Sequence, residues 1–181
     1  MTSNSRTDPG FSHRAFSPGQ LLELLSYALI ETPPTSVWPM TAADWTAQGT
    51  DSSAVVQLAG ISKTAPDHII HAALQRLLSE AGLPLPGDEA SRFAQADLVA
   101  QIGARAPELR EQCCKLLDAN YRKNYSDRYQ AALEALVLIG SNWNEQCASE
   151  LRESVAEAFD AYLGSDQRKQ ALQSYAGSGG C

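Results

Sequence analysis

Strand-like alternation of apolar and polar residues is missing from this 181-residue chain, and with it the main sequence signal for a β-sheet. No apolar run approaches the roughly 20 residues that a membrane-crossing helix requires. The densest short stretch is Ala135 to Ile139, so no membrane contact is expected. Cations are outnumbered, with 14 Lys and Arg against 21 Asp and Glu and a formal net charge of −7. Such a balance disfavours generic binding to nucleic acid or to an anionic membrane. The four cysteines, Cys113, Cys114, Cys147 and Cys181, form no CxxC pair. That excludes zinc-ribbon and dithiol-redox spacings and fits a reducing compartment. A glycine-rich phosphate loop, a nucleophile elbow, zinc-finger spacing and kinase signatures are all missing. The first residues, MTSNSRTDPG, hold no apolar core of a secretory signal, so the cytoplasm is the expected location. No cofactor is expected.

What is present is helix-period patterning, with proline near helix starts and glycine at helix ends. Residues 1–16 are polar and are expected to form a disordered arm. Residues 177–181, GSGGC, are expected to form a flexible tail. Between them, 17–176 reads as one helical domain. Ser17 and Pro18 open a first helix whose apolar face is Leu21, Leu22, Leu25 and Leu29, and Pro33-Pro34 ends it. An irregular stretch over 32–50 leads to a short helix from Thr41, stopped by Gly49. Asp51 or Ser52 caps another short helix. Thr64 caps a longer one that ends at Gly82, and Asp88 caps the next. Pro107 opens a helix carrying Leu109, Cys113, Leu116 and Leu117. Ser126 is expected to cap a helix ending at Gly140, and Asn142 with Glu145 to cap one running to Gly164. A last short helix covers about Asp166 to Tyr175. The fold class is therefore all-α, a compact bundle of about seven to eight helices with short loops. Stacked antiparallel hairpins are the alternative arrangement, although no sequence repeat supports them.

Five groups of residues carry chemistry worth weighing. Asp67, His68 and His71 share a helix face at i, i+4 and i, i+3 spacing, and two imidazoles so placed can reach one zinc or iron ion. A full site would need a distant carboxylate such as Glu23, so boundary histidines beside a dipole-favoured Asp67 outweigh a metal centre. Cys113 and Cys147 fall in register with leucine and valine neighbours and read as small buried apolar residues. Cys114 need not face inward.

Tyr121, Tyr125 and Tyr129 recur every fourth residue with Arg122, Lys123 and Arg128 among them. A continuous helix would line them up in a stripe, and a turn at Asn124 would gather them at a corner. Interleaved tyrosine and cation suits a protein interface or a phosphate ligand, against the plainer reading of a packed corner with solvated cations. Trp38 and Trp45 lie in the Pro-rich stretch with Pro39 and Met40. Pinning that stretch to the core outweighs binding, because each indole buries a large area. Finally, Glu150, Glu153 and Glu157 share a face at i, i+3, i+7 spacing. A solvated helix face is the plainer reading of them, and docking onto a basic partner the sharper one.

The charge is uneven in a way that bears on this last group. Residues 105–128 hold six cations and four acids, and 129–163 hold one cation and six acids. The favoured expectation is a non-catalytic helical protein-binding module, of an acidic inhibitor, immunity or adaptor kind, with a protein partner that could be basic. The alternatives are a small metal-dependent enzyme using Asp67, His68 and His71, or a phosphate- or nucleic-acid-binding helical module. Homo-oligomerisation is left open.

Overall fold

The computed structural model describes residues 16–30, 36–143 and 148–176, with backbone alone for 148–153. Residues 1–15 of the expected disordered arm, the Gly/Ser tail with Cys181, the Pro33-Pro34 stop, Glu145 and Cys147 lie outside the described residues. So do the side chains of Glu150, Leu151 and Glu153. Phe16, expected in that arm, is instead buried against Trp45.

The fold is all-α and compact. Among the described residues there are nine α-helices, slightly more than the number expected, and no strand: α1 (Pro18–Ile30), α2 (Val37–Ala47), α3 (Ser53–Ala59), α4 (Asp67–Glu80), α5 (Glu89–Arg105), α6 (Arg110–Lys123), α7 (Glu134–Ser141), α8 (Ala148–Gly164) and α9 (Asp166–Ala176). Two 3-10 segments, Pro107–Leu109 and Arg128–Leu133, lead into α6 and α7.

The helix starts show why these residues choose these boundaries. Ser17 and Gln20 form a reciprocal capping box. The Gln20 amide donates to Ser17 Oγ at 3.3 Å, and the Ser17 amide to Gln20 Oε1 at 2.9 Å. Each bond satisfies a donor the helix itself cannot. Ser52 Oγ and Asp88 Oδ1 accept from the amides of Val55 and Ser91, at 3.2 and 2.9 Å. Gly49 and Gly82, at φ +87° and +67°, follow α2 and α4 and turn the chain through the left-handed region.

Four expected boundaries are corrected. The helix expected from Thr41 begins at Val37, so Trp38, Pro39 and Met40 are helical. Pro39 sits in the first turn, where no partner for its missing N–H is needed. Pro66, rather than Thr64, stands immediately before α4. Ser126 caps nothing; Asp127 precedes a 3-10 segment that becomes regular helix only at Glu134. Asn142 closes α7 instead of opening α8, its Nδ2 donating to the Leu138 carbonyl at 2.8 Å.

α5 and α6 pack side by side at the centre. α1 lies against both, α7 against α6 and α8, and α8 against α5. These contacts between helices distant in sequence make the arrangement a bundle, not an open stack of hairpins. α2, α3 and α4 pack in succession and meet α1 through Trp38 and His71 on Tyr27 and through Thr50 on Gln20. One continuous core results, with Leu24, Leu25, Leu29, Leu58, Leu74, Phe93, Leu117 and Phe159 fully buried.

Gly140 is expected to end a helix but does other work. A Cβ there would stand 2.1 Å from the Cys114 carbonyl oxygen, so glycine is what lets α7 lie directly on α6. Cys114 is accordingly buried, contrary to the expectation that it need not face inward. α6 is covered on several sides, by α1, α5 and α7, so neighbouring positions on it both point into protein.

Candidate functional site

The tyrosine-rich segment is neither a stripe nor a single corner. α6 ends at Lys123, and Asn124 follows it out of helical geometry. Tyr129 turns into the core, where its ring lies 5.5 Å from that of Phe93 and its hydroxyl accepts from Asn120 Nδ2 at 3.1 Å. Burial pushes its hydroxyl well above the usual phenol range. Tyr121 and Tyr125 stay outside, 41% and 74% exposed.

The cations of the segment are engaged within the protein. Arg122 pairs with Asp118 at 2.9 Å along the helix. The Lys123 ammonium donates to the Ile30 carbonyl at the end of α1. Arg128 pairs with Glu89 at 3.3 Å, and its amide donates to Glu89 Oε1 at 2.6 Å.

The two tryptophans behave as pins. Trp45 is buried against Phe16 and Trp38, with ring centroids 6.4 Å away in each case. Trp38 is half-buried edge-on to Tyr27, at 5.7 Å. Their helical neighbours Val37 and Met40 face outward, 59% and 50% exposed. Trp38 packs on Tyr27 one turn before the end of α1, and Lys123 caps the last carbonyl of that helix. The start of α2 and the end of α6 are thus each tied to the last turn of α1, and Val37, Met40, Tyr121 and Tyr125 are exposed side chains of these two segments.

At the Asp/His cluster, Asp67 and His68 are exposed in the first turn of α4. His71 turns inward. Tyr27 Oη and His71 Nδ1 share a hydrogen bond of 2.6 Å, and Gln75 Nε2 lies 3.0 Å from His71 Nε2. Both nitrogens of that ring are thus taken by protein groups. Partial desolvation raises the Glu23 carboxyl above its ordinary range. Among the described residues, no three His, Cys, Asp or Glu side chains come together as a metal site.

The Cys113 and Cys114 thiols are both pushed up to about 12 by burial, which removes the thiolate that nucleophilic chemistry needs. In α8, Val155, Phe159 and Tyr162 are buried while Glu157 and Asp160 are exposed, so the acidic face is outside where it is described.

Reasoning from sequence missed a buried polar centre. Asp97 of α5 is 4% exposed and accepts four hydrogen bonds. Arg168 Nε and Nη2 reach its two oxygens at 2.5 and 2.9 Å, Tyr162 Oη at 2.8 Å and Gln101 Nε2 at 2.8 Å. A charged residue inside the run Phe93-Ala-Gln-Ala-Asp-Leu-Val-Ala100 was the available signal. Two clefts open on the surface. One, of about 240 Å³, has Phe16, Leu21, Ile102, Gln101 and Arg105 in its walls. The other, of about 230 Å³, lies between the second 3-10 segment and α9.

No family model matches the chain, and neither a curated protein nor a solved structure does.

Proposed function

We propose that this protein is a non-catalytic helical module that binds another protein through the end of the bundle marked by Ile30. The observation that carries this reading is that α2, which exposes Val37 and Met40, and the end of α6 with the turn after it, which expose Tyr121 and Tyr125, are each fastened to the last turn of α1. Interface cores favour aromatic side chains and methionine, and tyrosine is among the residues whose loss costs most binding energy. Both segments are anchored, α2 by Trp38 and Trp45 packed on Tyr27 and Phe16 and the end of α6 by the Lys123 bond to the last carbonyl of α1. A binding surface on a preformed helical scaffold loses little to ordering when a partner docks.

A phosphate or nucleic-acid reading draws less support, because Arg122, Lys123 and Arg128 already have acidic or carbonyl partners inside the molecule. A metal-enzyme reading draws less support from His71, whose two nitrogens are occupied.

The test is affinity capture with the tagged full chain from its native lysate at low and high salt, comparing wild type with Tyr121→Ser/Tyr125→Ser. One stoichiometric protein partner is expected, retained at high salt. Its recovery should fall about tenfold or more in the double variant, as loss of two interface tyrosines implies. Equal recovery by the double variant, with its melting temperature unchanged, would overturn this surface.

A further inference from the structure

The cleft of about 240 Å³ lies between the start of α1 and the end of α5. It is at the opposite end of α1 from the last turn that fastens α2 and α6. Its walls divide by chemistry. Phe16 and Leu21 from one side and Ile102 and Ala106 from the other belong to the continuous core. Water filling the cleft meets apolar surface, so an apolar group that takes its place gains burial.

Polar side chains come from α5 alone. They are Gln101 and Arg105, four residues apart and so on one face of the helix. Gln101 is tied by its amide to buried Asp97 at 2.8 Å, and Asp97 is itself paired with Arg168. Arg105 is the one charged side chain lining the cleft among the described residues. A guanidinium carries five N–H donors, so it can take a carboxylate alongside a contact within the chain. Two helix dipoles also end here, the positive start of α1 and the negative end of α5. They oppose one another, and the guanidinium sets the sign of the site. In a chain of net charge −7, an acid needs such a local cation to settle anywhere on the surface.

Size limits the occupant. At about 30 Å³ per water, the cleft has room for roughly eight waters. It is smaller than the roughly 300–1,000 Å³ of sites for drug-sized ligands. The geometry points to this cleft as a binding site for a small amphiphilic carboxylate. Its aliphatic or aromatic body packs against Phe16, Leu21 and Ile102, and its carboxylate pairs with Arg105. The inference does not depend on the protein-binding surface and survives if that surface fails.

Carbon–proton spectra of the full chain, titrated with sodium octanoate and with octanamide, test it. Octanoate is expected to shift the methyl signals of Leu21 and Ile102 saturably, with an affinity on the order of millimolar for a ligand of this size. Octanamide keeps the chain and loses the charge, and is expected to bind about fivefold more weakly, as an exposed ion pair implies. Arg105 is exposed, so its variants should match wild type in melting temperature. Arg105→Gln is expected to bring octanoate down to the octanamide level and to leave octanamide unchanged, while Arg105→Lys restores most of the difference. No saturable shift at Leu21 and Ile102 would overturn the site. Equal affinity for the two ligands, or a preference for octanoate that persists in Arg105→Gln, would overturn the pairing of the carboxylate with Arg105.

Discussion

α8 and α9 follow one another in the chain, and both lean on α5, yet they are held by opposite means. α8 drives Phe159 against Gly103, where a Cβ would stand 2.4 Å from the ring's Cζ. Phe159, Val155 and Tyr162 are sealed from water. α9 has no fully buried residue; half-buried Ala171 and Tyr175 lie on the edge of the core, with the Arg168–Asp97 pair at one end and Tyr175 between Phe93 and Arg128 at the other. The contrast separates two jobs. Close apolar packing ties a helix to the stability of the whole domain, because removing it opens a cavity that the core cannot refill. Polar anchoring fixes where a helix sits while leaving it able to open alone.

The comparison can be strained from both sides. Phe159→Ala should cost most, about 3–5 kcal/mol of global stability, seen as a lower urea midpoint. Gly103→Ala, which keeps the ring but crowds it, should cost about 1–3 kcal/mol. Its cost should stay below that of Phe159→Ala, because the ring edge can shift.

Asp97→Asn removes the charge that Arg168 pairs with. The loss should be about 1–3 kcal/mol, at the lower end because the Arg168 side chain is already 19% exposed and can turn to water. Tyr175→Ala should cost less than about 1 kcal/mol in the same urea assay. A value near that of Phe159→Ala would erase the distinction between the two helices.

The smallest effect should come from Glu80, at the end of α4. Its carboxylate accepts from Ser53 Oγ and from the amides of Ser53 and Ala54, each at 3.0 Å, which caps α3 from the end of α4. Hydrogen bonds from Ser52 and Ser53 and from those amides hold its carboxyl below the ordinary value of 4.5. A depressed folded-state pKa contributes stability above the unfolded value, lost as pH falls through the folded one. Wild type should therefore exceed Glu80→Gln slightly in melting temperature near neutral pH, and the gap should close as pH drops below about 4. A gap that persisted at pH 2 would show that the cap does not act through the ionised carboxylate.

The fold class was legible because it rests on local signals that all agree. Ser17-Pro18, Ser52, Asp88, Gly49 and Gly82 each act at the helix end where the pattern placed them. The misplaced boundaries share a cause. Pro39 is compatible with a first helical turn as well as with a loop, and Asn142 with either helix end, so composition alone does not choose between them. The candidate sites were less legible. Spacing offered the three tyrosines as a stripe or as a corner cluster, but the chain leaves helical geometry at Asn124 and sends Tyr129 inward. Asp97 and Arg168 lie 71 positions apart, and no local pattern joins them. Which half of the Trp38–Met40 stretch is sealed depends on Tyr27 and Trp45, contacts that only the assembled bundle supplies.

The central functional claim is that the apolar and tyrosine surface at the end of α1, not the acidic face of α8, meets the partner. The direct test is side-by-side capture with wild type, with Val37→Ser/Met40→Ser/Tyr121→Ser/Tyr125→Ser, and with Glu157→Gln/Asp160→Asn, each first checked for an unchanged melting temperature. The account predicts that the acidic variant retains the stoichiometric partner and the fourfold variant loses it. Retention by the fourfold variant together with loss by the acidic one would contradict it and move the contact to α8.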